Sequence, residues 1–357
     1  MAYVATRGGE QAIEQAERLF RAEMGEITPE RVAEIKTALP YLIDRVMGEA
    51  SLYDEDLAAL ALAQAGGDLY EAVLLLRAWR TTQPRLHVAR PIDQGTLFTH
   101  RRISAAFKDI PGGQVLGPTL DYSHRIIATD VLEGARYIPD PVTPAATPAP
   151  ARQPSVAAWQ AENDLVEMPG FDETAPEDIP DVTREPVLFP ATRAHRLQSL
   201  ARADTGATLA LGYAAMRGYG QAHPTVNELR LCEAEIIVTH PRGTAFSAGR
   251  VKVSQAEVVS KKGNTLELGF AATLGWNEVK CISAATLDLN SKGALKGSPT
   301  EEEFYLYHTE GVESSGFCIH FKLPHYVTFQ SSLDAMRSAK KTGKTAEKTS
   351  TSKEPAQ

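Results

Sequence analysis

Apolar residues recur three and four positions apart from Glu10 to about Arg80, and this spacing predicts a run of helices. Thr28-Pro29-Glu30 offers a capping hydroxyl followed by a proline at the first helical position, where the missing N–H costs nothing. Pro40 kinks or restarts the element, Asp54 caps DEDLAALALAQA, and Gly66-Gly67 ends it. Asp68 and Glu71 form an Asp-based relative of the capping box ahead of Leu69, Val73 and Leu76. From about Leu86 the pattern changes to short extended pieces broken by glycine and proline. Within them, RRISAAFKDIPGGQVLGPTLDYSHR (101–125) reads as a shaped loop. The stretch from about Tyr137 to Asp181, with PDPVTPAATPAPARQPS and DETAPEDIPD, has too few apolar residues to offset its ordering entropy. Beyond it, HRLQSLARAD, TGATLALGYAAMRGYG and GWNEVKCISAATLDL read as helices, as does the segment beginning HYVTFQ. LRLCEAEIIVT and AGRVKVSQAEVV alternate as strands. The expected class is α+β. A helical N-terminal domain (1–136) is followed by a Pro-rich linker or insert (137–182), a mixed α/β domain (183–336) and a disordered tail (337–357).

Composition narrows the function classes. The 357 residues suffice for two domains and a substantial core. A net charge of -8 gives no general attraction to nucleic acid or an anionic membrane, so phosphate recognition has to come from local basic clusters. Three cysteines without a CxxC pair argue for a reducing compartment, and no apolar run approaches the length of a membrane span. A cytoplasmic location is the expectation.

Four stretches carry candidate chemistry. CIHFKLPHYVTF sets His320 and His325 five positions apart across Pro324, with Cys318 upstream. If FCIHF is a strand ending at a helix start, both rings can turn toward one point, and Cys318 shares the face of His320. Two ordinary histidines near the end of a core element fit the same letters. Second, Gly112, Gly113 and Gln114 form a turn where a backbone can approach a ligand. Arg101, Arg102 and Lys108 can complement phosphate, and Asp121 and His124 follow. The spacing is not that of a P-loop, and a basic surface strand before a tight turn is the competing reading. Third, in MRGYGQAHP, Arg217 and His223 suit an anion and Tyr219 suits stacking on a base, unless the segment is only a glycine helix stop. Fourth, a glycine pair precedes a helix in VATRGGEQAI.

Together, YVATRGGEQAI, the 101–125 segment, RGYGQAHP and HFKLPHYVTFQ, in this order and supported by LAALALAQAGGD and LLLRAWRTT, resemble the PhnI subunits of the bacterial carbon-phosphorus lyase system. The resemblance implies the first step of phosphonate breakdown. A phosphonate such as methylphosphonate is joined to the anomeric carbon of ATP's ribose, with magnesium accompanying the ATP. Adenine leaves, and ribose 1-methylphosphonate 5-triphosphate forms. It implies a nucleosidase reaction for the subunit alone and a twofold-symmetric core assembly with PhnG, PhnH and PhnJ, with PhnL needed for transfer. It also implies a zinc ion shared between His320, His325 and a cysteine of PhnJ, the iron-sulfur subunit. An internal Cys318-His320-His325 site, a self-contained zinc hydrolase and a purely scaffolding chain are the alternatives.

Displacement at an anomeric carbon passes through an oxocarbenium-like state. It calls for a carboxylate facing the sugar cation, an acid for the departing base and cations for the phosphates. The expected assignments are Asp121 and His124 as catalytic groups, and Arg101, Arg102, Lys108, Gly112, Gly113, Gln114, Arg217, Tyr219 and His223 as substrate-binding groups.

Overall fold

A computed structural model describes residues 8–138, 140–141, 153–168, 179–322 and 327–350. His325 lies outside the described residues, as does the end of the tail from 351. The chain divides into two compact units, Ile27–Val312 on the one hand and Met1–Glu26 with Glu313–Gln357 on the other. The described residues form twelve α-helices and one five-stranded sheet, an α+β architecture.

Helix α1 (Gly9–Met24) opens the second of these units and buries none of its residues. In the larger unit, α2 (Pro29–Ala38), α3 (Pro40–Ala50), α4 (Glu55–Gln64) and α5 (Leu69–Thr81) follow in sequence. Their starts follow the capping chemistry. Thr28, Asp54 and Asp68 accept from the amides of Arg31, Leu57 and Glu71, and Pro40 restarts the chain as α3. Ile43, Val46, Met47, Ala58, Ala59, Leu62, Val73 and Leu76 interlock as their core. The alanines allow close helix approach.

Strand β1 (Phe98–Ile103) precedes α6 (Val156–Glu162) and β2 (Val166–Glu167). Then come α7 (Arg193–Arg202), α8 (Thr205–Ala214), β3 (Thr225–Thr239), β4 (Ala245–Lys262), β5 (Thr265–Leu274), α9 (Glu278–Asn290) and α10 (Glu302–His308). The sheet order is β1-β3-β4-β5-β2, antiparallel except for the β2–β5 pair. One sheet face packs Leu229, Ala256, Val258 and Ala271 against Ala284, Ala285, Leu287 and Leu289 of α9. The opposite face carries Val259 and Leu268 under Ala157 of α6.

Three expectations change here. Residues 153–168, expected as linker, form α6 and β2. Val156 and Ala157 are fully buried because the acidic side chains Glu228 and Glu257 satisfy the exposed amides at the start of α6. β1, from before the Pro-rich stretch, pairs with β3, from after it. Asp204 ion-pairs with Arg45 at 3.0 Å and Glu49 accepts from the Thr205 amide at 2.9 Å, which ties the early helices to α8. The sheet core therefore spans the proposed boundary. Finally, FCIHF belongs to helix α11 (Gly311–Lys322) rather than to a strand, and α12 (Val327–Ser350) continues as helix through residues 337–350, expected as disordered tail. A Lys/Ala/Thr-rich composition rules out burial, not helix. Among the described residues, no helix is long and apolar enough to cross a membrane.

Candidate active-site loop

The consecutive arginines of β1 stand on opposite faces of the sheet, as neighbours in a strand must. A register shift between Thr99 and Arg101 sets which faces they take: Arg101 pairs across to Leu231 on the α9 face, and Arg102 to Arg230 on the α6 face. Both side chains are buried, at 2% and 0% exposure.

Arg101 reaches three acceptors. Its Nε donates to Glu278 at 2.5 Å, one terminal nitrogen to the Leu116 carbonyl, and the other to Asp121 Oδ2 at 3.2 Å. Arg125 donates to the second oxygen of Asp121 at 3.3 Å. Asp121 is thus an exposed carboxylate held between two guanidiniums, and His124 is an exposed imidazole three residues on. Arg101 therefore orients the carboxylate and the loop carbonyl. It does not present its guanidinium to solvent as expected of a phosphate ligand.

Arg102 departs further from the expected role. It ion-pairs with Glu228 and donates to the carbonyls of Pro111, Gly113 and Pro154. Full burial and internal acceptors make it a structural clasp that joins the glycine turn to the approach to α6. Gly112 has φ +83°, and a Cβ there would lie 2.9 Å from the Arg102 guanidinium; Gly113 has φ +76° with open space around it. The turn needs its glycines for conformation, and only Gly112 for room. Gln114 serves the loop itself, accepting from the Ser104 amide and donating to the carbonyls of Phe107 and Lys108. The Lys108 side chain is exposed.

Arg217, Tyr219 and His223 lie on the turn between α8 and β3, all exposed. Gly218 takes φ 109° there, and the Arg217 guanidinium lies 5.8 Å from the Tyr213 ring centre. Among the described residues, no hydrogen bond or ion pair joins this turn to the 101–125 loop.

His320 stands in the last turn of α11, 5.7 Å ring to ring from Phe321. On a helix, Cys318 and His320 lie about 200° apart, so the shared strand face expected for an internal Cys-His-His set does not exist. Among the described residues no group of three or more His, Cys, Asp or Glu side chains could hold a metal. With His325 beyond description, the donors present do not make a zinc site by themselves. Cys281 is buried within α9, and burial pushes its thiol up to about 12.

Sequence reasoning missed Glu278, Glu228 and Glu257. In β3 the charged residues Glu228 and Arg230 alternate with Leu229 and Leu231, a pattern that reads as a solvent-facing side. α6 covers that side instead. Burial, followed by the neighbouring charge of Glu228, raises the Glu257 carboxyl to about 7. Glu257 accepts from the Ala157 amide and from Asn227.

Comparison with known proteins gives the family of the chain. The family model for PhnI, a bacterial phosphonate metabolism protein, matches residues 2–343. A putative C-P lyase subunit protein, HtxH of Stutzerimonas stutzeri, is 40% identical, with 94% of this chain and 95% of that protein covered. The alpha-D-ribose 1-methylphosphonate 5-triphosphate synthase subunits PhnI of Rhizobium meliloti (strain 1021) and Escherichia coli (strain K12) are each 38% identical. These matches cover 94% of this chain and, respectively, 94% and 97% of those proteins. The chain belongs to the PhnI family of bacterial phosphonate metabolism proteins.

Proposed function

We propose that this chain is the subunit of a carbon-phosphorus lyase system that acts on the N-glycosidic bond of ATP. With partner subunits it transfers methylphosphonate to the anomeric carbon and releases adenine. With water as nucleophile the same chemistry is a nucleosidase reaction. The observation that carries the proposal is the match over residues 2–343 to a family whose relatives include synthase subunits.

The loop geometry supports a division of labour. Asp121, fixed between Arg101 and Arg125, faces the developing oxocarbenium charge, and His124 supplies a proton to the departing base. Lys108 and the Gly112 amide hold the magnesium-bound triphosphate, while the Gly113 amide closes the turn on the Ile110 carbonyl at 2.9 Å. Arg217, Tyr219 and His223 form a second set, suited to the adenine ring and to an anionic group. Arg101 and Arg102 keep the loop in shape from inside the sheet.

Assembly with partners is supported by what the loop leaves uncovered. Leu120, Tyr122, Ile126, Ile127, Leu132 and Tyr137 are each at least 65% exposed, an unusual density of apolar surface for one segment. Partner subunits such as PhnG, PhnH and PhnJ would bury such a surface in a twofold assembly, with PhnL acting in transfer. The shared zinc belongs to the same proposal: His320 and His325 would hold it with a partner's cysteine, and when bound it would fix this end of the chain or polarise an oxygen of substrate.

Incubating the purified chain with magnesium and ATP, and following adenine by chromatography, tests the proposal. Adenine together with ribose 5-triphosphate supports it. An inert, folded chain that stays inert when partner subunits are added leaves only a scaffolding role.

A further inference from the structure

A second concentration of positive charge lies away from the 101–125 loop, where α5 meets the end of α7. Arg77 and Arg80 project from α5, Arg85 follows it, Arg184 lies in the turn after Asp181, and Arg202 ends α7. Three of these guanidiniums are matched. Arg77 pairs with Glu310 at 2.5 Å and donates to the carbonyls of Glu49 and Arg202. Arg85 pairs with Asp181 at 2.5 Å, and Arg184 stands 3.9 Å from the same carboxylate. Glu185 turns its carboxylate to the Asp181 amide.

The other two are not matched. Arg202 donates to the Val182 carbonyl, but its Nε is buried without a hydrogen-bond partner. The Nε of Arg80 is likewise buried and unpartnered, and among the described residues its guanidinium has no carboxylate within 4 Å. Other arginines with an unpartnered Nε differ in this respect: Arg196 bonds Glu302 and the Ala191 carbonyl, and Arg230 bonds Glu228 and two carbonyls. Burial and the crowding of like charge lower the affinity of Arg202 for its proton, to about 10, with Arg77 and Arg80 contributing. The same causes act on Arg80, burial first; Asp181 opposes them, and Arg77, Arg85 and Arg184 add to them. A cationic cluster built only for stability would give each guanidinium an acceptor, because a desolvated, unpaired charge is costly. Here acceptors are short at the centre while Arg85 and Arg184, with side chains 41% and 59% exposed, line an open side.

We propose that the Arg77–Arg80–Arg85–Arg184–Arg202 cluster is a binding site for a phosphate-type oxyanion, with Arg80 as its principal ligand. A tetrahedral anion supplies several acceptor oxygens to planar donors, which is the geometry the guanidiniums lack from the protein. The site takes either free phosphate or the terminal groups of a polyphosphate. It stands independently of the glycosidic chemistry proposed above.

Titration calorimetry on the full chain, with inorganic phosphate and with tripolyphosphate at ionic strength held constant by sodium chloride, tests the site without turnover. The expected result is a saturable event with at least one anion that Arg80→Gln weakens about tenfold, the loss of a charge-assisted hydrogen-bonding group. Lys296→Gln, an exposed charge-matched change elsewhere, leaves it unaltered. Preference for tripolyphosphate over phosphate identifies a polyphosphate as the natural source, and equal affinity identifies free phosphate. Thermal melting confirms that Arg80→Gln folds, since that side chain holds no internal partner to lose. If no saturable event exists, or if Arg80→Gln binds within about twofold of wild type, the proposal is overturned.

Discussion

Replacing Arg102 with methionine removes the guanidinium that links β1 to the glycine turn and to α6, while keeping much of its apolar length. Arg102 is fully buried and its counter-ion Glu228 is 2% exposed. Removing one member of a buried pair costs about 3–5 kcal/mol, because the other charge is left in a poor solvent. Arg230 remains 2.9 Å from Glu228 and limits the electrostatic loss. The carbonyls of Pro111, Gly113 and Pro154 lose a donor in addition. The expected destabilisation is therefore about 3 kcal/mol, toward the lower end of that range. Urea denaturation at neutral pH, followed by tryptophan fluorescence, reads it, with Trp159 of α6 reporting on the segment that Arg102 anchors. Combining Arg102→Met with Glu228→Gln should show a coupling of at least about 1 kcal/mol, because the two side chains share one network. Stability within about 0.5 kcal/mol of wild type, with activity lost, would refute this reasoning and return Arg102 to substrate binding.

Two further expectations follow from the structure, and a third from the proposed shared zinc. Glu257 carries a carboxyl raised above its unfolded value, so the folded chain keeps a proton that the unfolded chain has lost between the ordinary carboxylate range and about pH 7. This contribution to stability is complete at low pH and lost as pH rises through about 7; denaturation midpoints measured across pH 5 to 8 should fall less in Glu257→Gln than in wild type. Gly112→Ala should destabilise more than Gly113→Ala. Both require a left-handed residue, at about 1–2 kcal/mol, but only Gly112 places the new methyl against Arg102, and paired thermal melts separate the two. For zinc, metal analysis should find little in the isolated chain and stoichiometric metal in the assembled complex, lost with His320→Ala; stoichiometric zinc in the chain alone would contradict the shared site.

How far the sequence could be read differs from element to element. Thr28, Asp54 and Asp68 marked helix starts because capping is local chemistry, settled within four residues. The alternation of β3 and β4 was equally legible. α6 and β2 were not, because their order comes from Glu228, Glu257 and the β5 edge, residues distant in sequence. FCIHF misled as a strand because a short apolar run has no period of its own. In the candidate loop, the glycine turn forms where the letters placed it, with positive φ at Gly112 and Gly113. Arg101 and Arg102 did not behave as phosphate ligands, since two adjacent strand residues cannot both face one ligand, and each had an acidic partner waiting on its own side of the sheet.

The most direct test of the account is adenine release by the assembled complex, given magnesium, ATP and methylphosphonate, with either the wild-type chain or Asp121→Asn. Asp121→Asn keeps the side-chain size and leaves the neighbouring Leu120 and Tyr122 in place for partner subunits, and co-purification checks that the complex still forms. Adenine release should fall about a hundredfold or more, the scale of a lost catalytic side chain. A complex that forms normally and releases adenine at the wild-type rate would remove Asp121 from the chemistry.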